Sequence, residues 1–142
     1  MAVRVLLVDD EEEFVTYLGQ RLEARNFAVL TALNGDEAIA LVREQEIDVV
    51  ILDVLMPGRS GMETLQELKR VNPLIEVIML TGHGTVETAI DGMRLGAYDY
   101  LMKSTETTDL VEKITKAYAR KSEQEARIRQ AEVDRIVRSK GW

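Results

Sequence analysis

Short apolar runs and helical stripes alternate along the chain. Val3 to Val8 is apolar but for Arg4 and leads directly into Asp9-Asp10-Glu11-Glu12-Glu13. Val49-Val50-Ile51-Leu52-Asp53 is a second run, rich in β-branched residues, which ends in a carboxylate and breaks at Met56-Pro57-Gly58. Ile75 to Leu80 stops at Thr81-Gly82-His83-Gly84, Ala97 to Met102 stops at Lys103, and Phe27 to Leu33 is a shorter candidate. Continuous apolar runs of this length read as strands buried on both faces. Between them the period changes to that of a helix. Phe14, Leu18 and Leu22 follow an acidic first turn that suits the helix dipole, predicting a helix over Glu12 to Arg25. Asn34 with Glu37, and Ser60 with Glu63, have the spacing of a capping box. They predict a second helix to about Gln45 and a third that ends at Asn72-Pro73. Val86, Ala89, Ile90 and Met93 mark a fourth helix, expected to be the loosest because Gly92 weakens it by about 1 kcal/mol relative to Ala. Leu110, Val111, Ile114, Ala117 and Tyr118 mark the fifth.

Five strands alternating with five helices through short turns imply an α/β fold, a parallel sheet covered on both faces by right-handed crossovers. With five strands and no Gly-x-Gly-x-x-Gly after the first, the flavodoxin-like order 2-1-3-4-5 is favoured over a dinucleotide-binding arrangement. Past Tyr118 the apolar stripe fades, so residues 1–119 are expected to form the body. Residues 120–142 are expected to form a charged helical extension, partly frayed, that serves as a linker stub or a self-association segment. Val133, Ile136 and Val137 are too short a patch for a coiled coil.

Composition narrows the chemistry. A length of 142 residues fits one domain. The absence of cysteine excludes disulfides and thiolate metal sites, and the single His83 excludes a multi-histidine site, so any metal must be held by oxygen. No apolar stretch approaches the roughly 20 residues needed to cross a bilayer, and no basic segment leads into a signal-peptide core. A cytoplasmic protein without membrane contact is expected. The net charge of −7 is uneven: residues 120–142 carry seven Lys and Arg against four Asp and Glu, a balance of +3 that leaves −10 on the body. Direct binding to nucleic acid is not expected of such a body.

The ends of the strands then matter most. Asp9 and Asp10 end the first, Asp53 the third, Thr81 the fourth and Lys103 the fifth, all on one edge. In the order 2-1-3-4-5 the first and third strands are neighbours at the topological switch point, so the three carboxylates meet in its crevice. Two unit charges about 4 Å apart repel by roughly 4 kcal/mol at an effective dielectric near 20, so the trio calls for a cation or a shifted protonation state. A small hard ion such as Mg²⁺ suits carboxylates, waters and a phosphate oxygen. An ammonium at Lys103, a hydroxyl at Thr81 and backbone room at Gly82 complete a pocket for a tetrahedral dianion. The chemistry inferred is phosphoryl transfer to Asp53, giving an acyl phosphate.

Leu7-Val8-Asp9-Asp10, Asp53 before Met56-Pro57-Gly58, Thr81-Gly82, and Gly96-Ala97-Tyr98-Asp99-Tyr100-Leu101-Met102-Lys103 together resemble a response-regulator receiver domain, the CheY-like module of two-component signalling, over about residues 2 to 119. The resemblance implies that Asp53 accepts a phosphoryl group from the phosphohistidine of a sensor histidine kinase. It implies that Asp10, Asp53 and the Leu55 backbone carbonyl hold Mg²⁺ or Mn²⁺, with Asp9 assisting through water. Thr81 becomes the switch hydroxyl, Lys103 the phosphate-pairing lysine, and Tyr100 the aromatic that turns inward on activation. Leu55 and His83 flank the phosphoryl group and are expected to hinder an attacking water, prolonging the phosphorylated state. The surface of the fourth helix, fifth strand and fifth helix becomes a face for a partner or a second copy; the C-terminal helix is the other candidate dimer contact. A transcriptional regulator is one setting for such a domain. Its only expected reactions are self-phosphotransfer and autodephosphorylation. One position departs from the family pattern, which usually has proline in a cis peptide after the lysine; here Ser104 follows. A cis bond before serine costs about 2.5 to 4 kcal/mol, which leaves a trans peptide and a reshaped loop open. Two rival readings use the same residues. One is a Mg²⁺-dependent phosphohydrolase working through an aspartyl phosphate, although such enzymes usually have a second acid where Leu55 stands. The other is an interaction module that is never phosphorylated.

Overall fold

The structure, a computed structural model, describes residues 2–141. The expected strands and helices all form: β1 (Arg4–Val8), α1 (Glu12–Glu23), β2 (Ala28–Ala32), α2 (Gly35–Glu44), β3 (Val49–Leu52), α3 (Gly61–Val71), β4 (Glu76–Thr81), α4 (Val86–Arg94), β5 (Asp99–Met102) and α5 (Thr107–Ser139). The sheet is parallel throughout and its order is β2-β1-β3-β4-β5, as the sequence predicts. Alternation along the strands explains the two covered faces. Leu6, Val8, Val50, Leu52, Val77 and Met79 point to the side packed by Ala38, Ile39 and Val42 of α2 and by Leu65 and Leu68 of α3. Val5, Leu7, Val49, Ile51, Ile78 and Leu80 point to the other side, packed by Val15, Leu18 and Leu22 of α1 and by Leu110, Ile114 and Ala117 of α5.

The helix starts follow their caps. The Asn34 side chain accepts from the backbone N–H of Glu37, and Ser60 and Glu63 close a reciprocal capping box. Thr85 and Thr88 form a second such box at α4. Strand boundaries shift by a residue or two at several points. β4 takes in Thr81 and releases Ile75, while β5 starts at Asp99 because Gly96, with φ of +102°, turns the chain before it. All described peptide bonds are trans, including the one before Ser104.

The extension forms as the expected helix, with α5 unbroken over 33 residues, but the point at which it leaves the body requires a correction. It stays with the body beyond Tyr118. Arg120 forms a two-pronged pair with buried Glu76 at the start of β4, and buried Lys121 donates to Asp48, just ahead of β3, at 3.2 Å. Charged residues in a helix usually face water, so the fading apolar stripe conceals these two anchors. Among the described residues no helix is long and apolar enough to cross a membrane.

Candidate functional site

Parallel pairing sets the site. Asp53 follows β3 and its backbone N–H donates to the Val8 carbonyl at 3.0 Å, which sets it beside the end of β1. Asp9 and Asp10 continue from β1, and the Asp9 N–H donates to Ala32 of β2 at 3.2 Å. One carboxylate oxygen from each of Asp9, Asp10 and Asp53 lies within 4.8 Å of the others. Asp9 and Asp53 are buried while Asp10 is exposed, so the cluster opens to solvent on the Asp10 side. Close approach behind it depends on Gly61: a Cβ there would stand 2.2 Å from the Asp53 carbonyl oxygen, where no side chain fits.

Lys103 is the cation facing this cluster. Its Nζ lies 2.7 Å from Asp9, 2.7 Å from Glu11 and 3.8 Å from Asp53, and 4.5 Å from the centre of the Phe14 ring. Its backbone N–H donates to the Thr81 carbonyl, tying the loop after β5 to the end of β4. Burial works against the Lys103 ammonium, but hydrogen bonds to Asp9 and Glu11 and the field of Asp53 carry its pKa above the ordinary value. Burial also raises the Asp9 carboxyl, and here the hydrogen bond from Lys103 only partly offsets it. One ammonium thus leaves the trio short of positive charge. An all-oxygen donor set with that deficit fits a hard divalent cation.

The remaining candidates are arranged around this centre. The Thr81 side chain is buried at the end of β4, and its oxygen accepts from the His83 N–H at 3.1 Å, leaving its own proton free to donate. Gly82 and His83 are exposed beside it, and Leu55, 57% exposed, stands in the loop after Asp53. Tyr100 lies further off, half-buried beneath α4, and its hydroxyl shares a 2.6 Å hydrogen bond with the Thr88 hydroxyl. Gly84 makes this packing feasible, since a Cβ there would meet Met102 Sδ at 2.6 Å and the Tyr100 ring at 3.1 Å. No local pattern in the sequence marks Glu11, Phe14 and Thr88 as neighbours of the functional side chains. Glu11 sat unmarked within an acidic helix start, and Phe14 read as core.

Residues 5–115 match the family model described as the response regulator receiver domain. The chain belongs to the response regulator receiver family. The receiver is 38% identical over 117 residues to the transcriptional regulatory protein ZraR of Salmonella typhimurium, a match that takes in 82% of this chain and 26% of that protein. The chain therefore spans about a quarter of that relative's length. Among solved structures, a CheY-like receiver domain protein from Methanospirillum hungatei superposes with a TM-score of 0.83 at 27% identity, covering 87% of this chain and 99% of that one. The beryllofluoride-activated NtrC4 receiver domain, a dimer in solution, gives a TM-score of 0.78 at 35% identity, covering 83% and 98%. As a receiver, the protein is a phosphorylation switch of a two-component system. The acidic cluster is where receivers bind a divalent metal.

Proposed function

We propose that this receiver is cytoplasmic and takes its phosphoryl group on Asp53 from the phosphohistidine of a sensor histidine kinase. An Asp53 carboxylate oxygen attacks phosphorus, the new O–P bond forms as the N–P bond breaks, and the electron pair stays on the departing imidazole nitrogen. The observation that carries this reading is the convergence of Asp9, Asp10 and Asp53 opposite the single ammonium of Lys103. Asp10, Asp53 and the Leu55 carbonyl would hold Mg²⁺ or Mn²⁺, with Asp9 acting through water; the ion supplies positive charge to the phosphoryl oxygens. Lys103 takes another of those oxygens. Thr81 donates its free proton to a third and thereby draws the loop after β4 toward the site. Leu55 and His83 screen the phosphoryl group from water, and Gly82 leaves room beside it.

The output reading rests on α4. Its only buried residue is Gly92, while Val86 is 78% exposed and Ile90, Met93 and Met102 are nearly half exposed. An apolar face of this kind suits a protein partner or a second copy, and the solution dimer of activated NtrC4 supports the latter. Tyr100, bonded to the first turn of α4, would move with that helix. The long α5 beyond residue 119 reads as the link to an output region, and the name of ZraR supports transcription control as the setting.

Labelling with acetyl phosphate or phosphoramidate, followed by mass spectrometry, tests the core of this proposal. The wild-type protein is expected to gain one phosphoryl group that Asp53→Asn does not gain. Labelling of Asp53→Asn to the same extent, or rapid multiple turnover of a phosphomonoester, would overturn it.

A further inference from the structure

Lys103 is more firmly held in the resting protein than its phosphate-pairing role requires. Its ammonium bridges Asp9 and Glu11 at 2.7 Å each, whereas Asp53, the acceptor, is 3.8 Å away. Glu11 is well placed for this. Its backbone N–H donates to Asp9 Oδ1 at 2.9 Å, so the turn that fixes Asp9 also fixes the start of the Glu11 side chain. Lys103 holds the Glu11 carboxyl below its usual range. Yet the Glu11 side chain is 61% exposed, against 4% for Asp53. An exposed ion pair is screened by water and salt and is easily exchanged.

The incoming group carries roughly 1.5 to 2 negative charges and must win the same ammonium. We propose that Glu11 is a positioning residue that holds Lys103 at the mouth of the site until the phosphoryl group arrives. Formation of the phosphorylated state then requires exchange of the Glu11–Lys103 pair for a phosphoryl–Lys103 pair. Glu11 therefore sets how readily the switch is thrown. Asp9 cannot serve in this way alone, because it is buried and also belongs to the acidic cluster. Glu12, next in sequence, is exposed and makes no pair with Lys103, so it provides the control for charge without contact. The inference rests on the reading of Asp53 as acceptor.

Beryllofluoride, which mimics the phosphoryl group on the acceptor carboxylate, is titrated by fluorine NMR into wild type, Glu11→Gln and Glu12→Gln at saturating Mg²⁺. Breaking an exposed pair shifts an equilibrium by about two- to five-fold. Glu11→Gln is expected to bind the mimic tighter than Glu12→Gln by that factor at low ionic strength, with the gap closing as salt is added. In metal-free protein without the mimic, the Lys103 side-chain resonances are expected to shift in Glu11→Gln and stay in place in Glu12→Gln. Equal affinities for the two variants, or unmoved Lys103 resonances in Glu11→Gln, would overturn the role of Glu11 while leaving the acceptor reading intact. Wild type that binds no beryllofluoride would overturn the acceptor reading and this inference with it.

Discussion

Both ends of the sheet bury acids, and the two ends treat them oppositely. At the edge where the strands start, Asp48 and Glu76 are 1% exposed, and each is matched by cations from distant parts of the chain. Asp48 accepts from the Arg4 backbone N–H, from the Arg4 guanidinium and from Lys121. Glu76 takes the fork of Arg120, which also stacks 4.7 Å from the Tyr98 ring, and has Lys69 at 3.9 Å. At the edge where the strands end, three carboxylates face one ammonium that is shared with Glu11. Compensated buried charge fixes geometry, because removing either partner leaves the other stranded. Uncompensated charge stores a demand for a cation and a site for charge-dependent chemistry. The molecule thus separates the edge that anchors its last helix from the edge that can respond.

The largest test of this contrast removes the anchors. A chain ending at Ala119 would strand Asp48 with Arg4 alone and Glu76 with Lys69 alone. Breaking a buried pair costs about 3–5 kcal/mol, and the half-exposed Arg120 side chain brings the expected loss toward the lower figure, about 3 kcal/mol by urea unfolding. A chain ending at Arg127 keeps both anchors, and its stability is expected to change by less than about 0.5 kcal/mol. Equal stabilities for the two truncations would show that the starting edge does not depend on α5 beyond the body.

The second test supplies the charge that the other edge lacks. Mg²⁺ at about 100 times its dissociation constant is expected to stabilise the fold by about 2.7 kcal/mol, because it binds the folded state only. Asp10→Asn should abolish that gain. Glu76→Gln should lower stability at the opposite edge and keep the gain from Mg²⁺ in full. Loss of the metal response in Glu76→Gln would mean that the two edges are coupled and the contrast is false.

How much of this was legible in the sequence divides along the same line. The responsive edge could be read because Asp9, Asp10, Asp53, Thr81 and Lys103 each stand where an apolar run stops, and the strand order brings those stops together. The sheet order itself followed from the alternation of runs and stripes. The anchoring edge could not be read. Lys121 pairs with Asp48 across 73 positions and Arg120 with Glu76 across 44, and no local period links them. Both cations lie in a stretch whose charges have the pattern of a solvated helix, so nothing local marks them as anchors. Tyr100 was partly legible: its place on the fifth strand followed from the alternation of runs, while its bond to Thr88 depends on the packing of α4 over β5.

The smallest effect is one of sign, seen on acidification of the metal-free protein. Burial alone would raise the Asp48 carboxyl, but hydrogen bonds from Arg4 and Lys121 outweigh it and hold the pKa below the ordinary 3.8. A carboxyl depressed in the folded state contributes stability that is complete above its unfolded value and disappears as pH falls through its folded one. The stability gap between wild type and Asp48→Asn should therefore be flat from neutral pH down to about pH 5 and shrink below about pH 4. Asp9 runs the other way. Burial holds its folded pKa above 3.8, so the ionised group opposes folding at neutral pH, and that penalty is relieved as pH falls through the raised value. Asp9→Asn should remove this relief, leaving a curve whose stability begins to fall at higher pH than that of wild type. Saturating Mg²⁺ should suppress the Asp9 contribution and leave the Asp48 contribution unchanged. Curves of the same shape for Asp48→Asn and Asp9→Asn would contradict the assignment of compensated charge to one edge and uncompensated charge to the other.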